Sequence, residues 1–558
     1  SFQHLAASLE ALTENLKMEG ENTFKVISEH VKHFYGESSE KQRLLLRKEV
    51  YPYAYMDSFD RFKEGLPPIE NFYNDLKNKP CDPKDYLHVQ EMWKEFNMQN
   101  LGDLCDVYVQ SDVLLLSVVF SKHRQECWKN LGLDPLHYST APALTWEAAL
   151  KMTKVKLELL QDIEQHQFCE QAIRGGVCTT TKRFAKANNK YLPEYDSSKP
   201  SNFLFYIDAN NLYGSSMVEK LPISGFKWGK ITLDEIKNYN SNGDIGYFVE
   251  ADLSIPEELH DKFNCFPLAP EPLDITENVA SPKSLQIRIK RKETHDIFEE
   301  EEDWNHELLK VGTKRKLPSK GPKAKRSRII PKFSRVKLTP NLLPKKKYIC
   351  HIRSLQFYLQ EGVKVDAIHR VLEFKQEAWL KPYIDYNTKE RQAAKTEFKR
   401  AFHKLLVNAC FCKTMENVRK RVNIVLLDNK QSHIYQTSKP GFKRFTILDD
   451  DLVGVQLIKP VVVLDKPIYV GPAVLDISKL TMQKFWYGTI KPTFPTSDLC
   501  YTDTDSLLID IPTEDLYQDI GKMKEHFDFS NYPIDHALYD LHNQAVLGKF
   551  KDECHVKV

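Results

Sequence analysis

The run Leu-Cys-Tyr-Thr-Asp-Thr-Asp-Ser-Leu-Leu-Ile at 499–509 sets two apolar stretches around an acid-x-acid step. This pattern predicts two short strands with carboxylates at the turn between them. Side chains alternate along a strand, so aspartates two apart near a strand end can point the same way. Carboxylates so placed repel each other unless a cation lies between them, and hard oxygen donors suit Mg²⁺ or Mn²⁺. Alone, such a step is more often a solvated turn. Two further patterns upstream give it weight.

The first is Phe203-Leu204-Phe205-Tyr206-Ile207-Asp208-Ala209-Asn210-Asn211-Leu212-Tyr213-Gly214. A buried-type apolar strand ends on one aspartate, which presents a carboxylate at the edge of a sheet. Asp-Ala-Asn-Asn is also good turn chemistry, so a strand that simply stops explains it equally well. The second is a stretch from about Thr388 to Val407 rich in Lys, Arg, Glu, Ala and Leu without Pro or Gly, which predicts one helix. Arg400, Lys404 and Asn408 share a face of it, and Phe411 continues the stripe if the helix persists. A cation, an amide and an aromatic in series fit a triphosphate, a sugar and a base. A solvated basic face is the commoner use of such charge.

In this order the three patterns resemble the palm and fingers of family B DNA polymerases. Asp208 to Tyr213 is similar to that family's motif A, Lys404 to Cys412 to motif B, and Tyr501 to Ser506 to motif C. The wording at 208–214, 413–421 and 501–506 resembles the protein-primed branch, especially the polymerases of Polinton/Maverick elements and related viruses. Stretches near Tyr51, Asn100 and Lys466 resemble it too.

The resemblance implies an α/β multidomain fold, with a palm sheet, a helical fingers hairpin and a partial ribonuclease H-like exonuclease domain. It implies two-metal phosphoryl transfer, in which a primer 3′-hydroxyl attacks the α-phosphate of a dNTP and pyrophosphate leaves. Asp208 and Asp505 are the expected ligands of two Mg²⁺ or Mn²⁺ ions. Asp503 is a supporting carboxylate and the Ala209 carbonyl a backbone ligand. Lys404 would hold the triphosphate, with Arg391 or Lys395 on the outer phosphates. Tyr213 would lie under the sugar and exclude a 2′-hydroxyl, while Asn408 and Phe411 shape the pocket. Expected partners are template and primer DNA, dNTPs and a terminal priming protein, with the chain a monomer.

Two departures stand out. Motif B carries Phe411-Cys412 where the family has an aromatic followed by Gly. The family's Tyr-x-Gly-Gly segment appears as Ile173-Arg174-Gly175-Gly176. Arg174, the two glycines, Lys182 and Arg183 are candidates for template contact. Upstream, Tyr108 and Asp112 resemble the third 3′–5′ exonuclease motif. No convincing partner motif precedes them: Asp162-Ile163-Glu164 has the right letters in the wrong place, and Asp57-Ser58-Phe59-Asp60 lacks its Asn. No competent exonuclease is expected, and both ends read as cut relative to the family.

The expected layout is an exonuclease-like region at 1–170, then a linker and first part of the palm at 171–217. An insertion at 218–276 would face the priming protein. A charged, disordered insert follows at 277–328, then more palm at 329–385 and fingers at 386–422. A second insertion at 423–460 would aid strand displacement, and palm with the start of a thumb fills 461–558. Basic clusters at 314–328 read as a nuclear import signal or DNA tether. Eleven scattered cysteines with no Cys-x-x-Cys argue for a reducing compartment, nuclear or cytoplasmic, and against structural zinc. No apolar run predicts a membrane span. The net charge of +2 says nothing about nucleic acid. Rival readings are a nucleic-acid-primed polymerase, an inactive DNA-binding remnant and, last, a nuclease.

Overall fold

The computed structural model describes residues 4–5, 7–18, 20–274, 336–459 and 461–554. The charged insert at 277–328, with its basic clusters, lies outside these residues.

The described chain before Cys178 is helical. Its long member, Leu101–Leu131, starts at a capping box: Asn100 Oδ1 accepts the Asp103 N–H (3.2 Å) and Asp103 Oδ2 accepts the Asn100 N–H (3.3 Å). It stops at Gly132, where φ of 61° suits glycine. By length and composition alone this 31-residue helix could cross a membrane, contrary to the sequence expectation. Here its Leu104, Val107, Leu115, Val118 and Val119 are buried against Leu12, Leu16, Ile27, Val31, Val89 and Met92. Extended pairing among the described residues before Cys178 is confined to an isolated Asn74–Lys79 bridge. The sheet of a ribonuclease H-like domain is therefore not among them.

The strands β1 (Cys178–Thr180) and β2 (Asn202–Ala209) open the first sheet. Next, β3 (Leu221–Gly229) and β4 (Ile245–Ser254) open a second, and β5 (Glu271–Asp274) pairs antiparallel with β6 (Val336–Thr339). With β7 (Lys345–His351) and β8 (Lys364–Glu377), the second sheet closes in the order β3-β8-β4-β7. The region 218–276, expected as an insertion, thus shares one sheet with strands from 329–385. A third sheet, β9 (Asn423–Leu427), β10 (Phe442–Asp449) and β11 (Leu452–Leu457), occupies the expected second insertion. It carries the helix Lys430–Thr437. Finally β12 (Asp498–Asp503), β13 (Ser506–Pro512), β14 (Phe527–Asp528) and β15 (Phe550–Asp552) complete the first sheet, ordered β1-β12-β13-β2-β15-β14. The fold is mixed α/β with several parts, as expected.

In β2 Phe203, Phe205, Ile207 and Ala209 are fully buried and alternate with half-buried neighbours. Burying each of the larger three contributes about 1.5–3 kcal/mol. They share a core with Leu480, Phe485 and Trp486, at the end of the helix Val470–Phe485 and just beyond it. Phe485 stacks on Phe550 at 3.6 Å between ring centroids, which ties β15 to the same core. The alternation leaves Asp208 on the opposite, open face.

The single helix expected over 388–407 is two helices, Lys381–Ala393 and Glu397–Ala409. The break comes at 394–396, where Thr396 is extended (φ −117°, ψ 149°) ahead of Glu397. The two run antiparallel. Asn387 Oδ1 lies 3.0 Å from His403 Nδ1, and the Tyr383 hydroxyl donates to the Leu406 carbonyl at 3.1 Å.

Candidate active site

Asp208 on β2 stands opposite Ser506 on β13, and Ser506 stands opposite Asp503 on β12. On its other side Asp208 faces Lys551 on β15. Directly opposed residues of antiparallel strands project from one face. Asp503, Ser506, Asp208 and Lys551 therefore form one row across the open side of the sheet.

Asp505 is not in that row. With Thr504 it forms the turn between β12 and β13, so the two aspartates do not alternate along one strand as expected. Thr504 takes a left-handed conformation (φ 61°) and donates its N–H to the Val177 carbonyl at 2.8 Å. The Asp505 carbonyl accepts the Ala209 N–H at 2.8 Å, which pins the turn to the end of β2. Asp503 is exposed and accepts long bonds from the Tyr501 and Thr504 hydroxyls, each 3.4 Å.

Burial, then the negative charges of Asp505 and Glu553, push the Asp208 carboxyl from 3.8 up to about 7, against Lys404 and Lys551. Asp505 is also pushed up, chiefly by burial and with a contribution from Asp503. Among the described residues no three His, Cys, Asp or Glu side chains converge as a ready-made metal site. The pair Asp208–Asp505 is nonetheless a set of hard oxygen donors, of the kind that suits divalent cations.

The hairpin formed by the helices Lys381–Ala393 and Glu397–Ala409 faces this row. Lys404 and Asn408 lie exposed on one side of the helix Glu397–Ala409. Phe411 sits just beyond it, buried in a short 3₁₀ turn, 4.9 Å from the Tyr213 ring. Cys412 has no left-handed backbone, and its thiol lies 3.8 Å from the Asn408 carbonyl. Tyr213 lies in the first turn of the helix Leu212–Met217, which Asn211, left-handed at φ 47°, caps with its side-chain Oδ1 accepting the Gly214 N–H at 3.0 Å. Burial, then the Asp505 charge, raises the Tyr213 phenol.

Between hairpin and sheet lies a cavity of about 180 Å³ lined by Asn210, Asn211, Thr388, Arg391, Lys404 and Lys551. The two outer-phosphate candidates separate here. Arg391 lines the cavity beside Lys404, whereas Lys395 lies exposed at the tip of the hairpin. Sequence reasoning missed Lys551, Glu553 and Asp528, the last accepting the Asn210 amide at 2.7 Å. The alternation Lys549-Phe550-Lys551-Asp552-Glu553 was the available signal, since an inward Phe550 sends Lys551 outward.

Residues 43–307 match the family described as DNA polymerase type B, organellar and viral. That stretch contains Asp208 and Tyr213 and ends before the helix pair at 381–409. No curated protein matches the chain. Among solved structures it is similar to phi29 DNA polymerase complexed with primer-template DNA, at 14% identity and a TM-score of 0.44, covering 91% of this chain and 63% of that one. It is also similar to the orthorhombic crystal form of phi29 DNA polymerase, at 14% identity and a TM-score of 0.43, covering 91% and 64%. The chain thus spans about 63% of the length of the first of these polymerases.

The glycine segment differs from expectation. Arg174 is buried, donates from Nη1 to the Ile349 carbonyl at 2.6 Å and lies 4.0 Å over the Tyr348 ring. Enclosed in this way it is a tie between segments and is not placed to touch template. Gly175 has open space around its α-carbon, whereas Gly176 abuts Thr504. Lys182 pairs with Asp510 at 2.7 Å and Asp498 at 3.6 Å, which raises its pKa, and Arg183 is exposed.

In the N-terminal region Tyr108 and Asp112 do share a helix face, but Lys48 reaches both and forms the Asp112 ion pair. The Asp112 charge is already compensated there. Asp162 caps the helix Ile163–Gln171 by accepting the Glu164 N–H at 2.8 Å.

Proposed function

We propose that this chain is a DNA-directed DNA polymerase of the family B, protein-primed kind, replicating the genome of a mobile element or virus. One observation carries the reading. The β2–β13 register brings Asp208 to the turn that holds Asp505, in front of a cavity that Lys404 and Arg391 line. The oxygen of a primer 3′-hydroxyl bonds to the α-phosphorus of a dNTP, the α–β bridging bond breaks, and pyrophosphate leaves.

Asp208 and Asp505, supported by the Ala209 carbonyl and Asp503, would hold two Mg²⁺ or Mn²⁺ ions. When bound, such ions would supply Lewis-acid chemistry, lowering the pKa of the primer hydroxyl and neutralising the leaving pyrophosphate. Lys404 gives the triphosphate a mobile point charge, and Arg391 a planar fork suited to phosphate oxygens. Tyr213, backed by Phe411, lies under the sugar, and Asn408 borders the base. The chain acts as a monomer on template and primer DNA, and a hydroxyl of a priming protein starts the first strand. The match at 43–307 and the resemblance of the three motifs support this assignment.

The test is extension of a primed template with dNTPs and Mg²⁺, beside Asp208→Ala and Asp505→Ala. The proposal requires extension by the parent and its loss in both variants. No extension by a folded, DNA-binding parent would reject it in favour of a remnant.

A further inference from the structure

We propose that Lys551 is a third cation of the triphosphate site, binding the outer phosphates of the incoming nucleotide together with Lys404 and Arg391. The inference rests on the polymerase reading. It deepens that reading by adding a residue from the far side of β2 to a site otherwise built from the fingers.

Three observations carry it. Lys551 stands directly across from Asp208 in the β2–β15 register, so it projects to the open face, whereas Phe550 beside it is buried in the core. It lines the same cavity of about 180 Å³ as Lys404 and Arg391. That space is smaller than the roughly 300–1,000 Å³ that holds a whole ligand, which suits a polyphosphate tail with sugar and base outside it. The sugar and base would then rest toward the pair Tyr213 and Phe411.

Among the described residues none of the three cations forms an ion pair with a carboxylate, although Lys404 and Lys551 lie near Asp208 and Arg391 near Glu397. The acid that does line the cavity, Asp528, has both oxygens committed. Oδ2 accepts from the Asn210 amide (2.7 Å) and the Ala545 N–H (2.8 Å), and Oδ1 from the Ser530 N–H (3.0 Å). Lys404 and Lys551 act on Asp208 without forming an ion pair with it, and three cations lining one small cavity still repel one another, a repulsion that a multivalent anion relieves. The neighbouring Lys549 is different, since its ammonium donates to the Glu525 carbonyl at 2.6 Å. Lys551 therefore has no comparable structural bond that would account for its position.

The test compares the parent with Lys551→Ala and Lys551→Arg in two assays. The first is binding of inorganic tripolyphosphate in EDTA at low salt, followed by calorimetry. The second is steady-state dNTP incorporation with Mg²⁺. Loss of one charge-assisted contact is expected to weaken tripolyphosphate binding and raise KM for dNTP by about tenfold. The value of kcat should stay within about threefold, and Lys551→Arg should recover most of the loss. Unchanged tripolyphosphate binding in Lys551→Ala, or a fall in kcat at constant KM, would overturn the inference. If the parent extends primers and Lys551→Ala is indistinguishable from it, this inference fails and the polymerase reading survives. If the parent binds tripolyphosphate through Lys551 but extends nothing, the polymerase reading fails and the anion site survives.

Discussion

Gly176 lies against Thr504 so closely that a Cβ on the glycine would come within 2.7 Å of the Thr504 Cβ. Thr504 is also held by the Val177 carbonyl, so the glycine segment buttresses the turn that carries Asp505. Gly176→Ala is expected to push that turn outward and lower primer extension by at least tenfold, while overall stability falls by about 1–3 kcal/mol. Adding Thr504→Gly removes the obstructing side chain at a backbone conformation glycine favours. The double variant should regain most of the activity, and a double-mutant cycle on extension rate checks it.

The carboxyl of Asp208 gives a pH signature with a definite sign. Its folded value of about 7 lies above the 3.8 of an ordinary aspartate, so the folded chain binds this proton more tightly than the unfolded chain. The stabilisation is complete below about pH 4 and is lost as pH rises through about 7. Urea unfolding in EDTA should therefore show stability declining across that window, with a shallower decline in Asp208→Asn. Binding of Mn²⁺ should release a proton and strengthen up to about pH 7, then level off.

Arg174 is expected to act on stability and not on DNA. Arg174→Ala removes the bond to the Ile349 carbonyl and the contact with Tyr348, at a cost of about 2–3 kcal/mol. The salt dependence of DNA binding should keep its slope, because no phosphate contact is lost. A shallower slope, measured by titration at several salt concentrations, would reassign the residue.

Tyr213 and Phe411 form an aromatic pair in which Phe411 is buried and Tyr213 half-buried. Tyr213→Ala should admit ribonucleotides, reducing discrimination against them by about tenfold or more. Phe411→Ala, which empties a buried ring position, should lower stability by about 3–5 kcal/mol. Competition between dNTP and rNTP on one template measures the first, and thermal unfolding the second.

Asp112 is expected to be structural in this chain. Asp112→Asn should leave primer extension unchanged, and excision of a 3′-terminal nucleotide should be undetectable in parent and variant alike. Its neighbour Lys48 already supplies the charge that a cation would otherwise provide.

The parts of the site that the sequence made legible are those encoded over a few residues. The apolar run at 203–207 placed Asp208 at the end of a strand, and the apolar flanks of Asp503 and Asp505 placed two strands with a turn between them, whereas the face that Asp208 occupies came from the pairing. The break at 394–396 was harder to see, because no Pro or Gly marks it. The signal is a Thr followed by Glu, a capping pattern inside a run of good helix formers. Arg174 and Lys551 were misread or missed for another reason. Burial of Arg174 depends on Ile349, and the orientation of Lys551 toward the site depends on pairing with Asp208. Both partners are hundreds of residues or nearly so along the chain, and local periodicity carries no information about them.

The pairing of β2 with β15 also sets a timetable for synthesis. Residue 209 leaves the ribosome well before residues 550–552, which at about 5–20 residues per second is an interval of roughly 20–70 s. For most of it, until β13 at 506–512 is made, β2 is an apolar strand without either of these two partners. The nascent chain is therefore most exposed to misassociation while the strand that carries Asp208 is already made and its two neighbours are not. Slowing translation between Ala209 and Ser506 should lower soluble yield more than slowing it before Asn202.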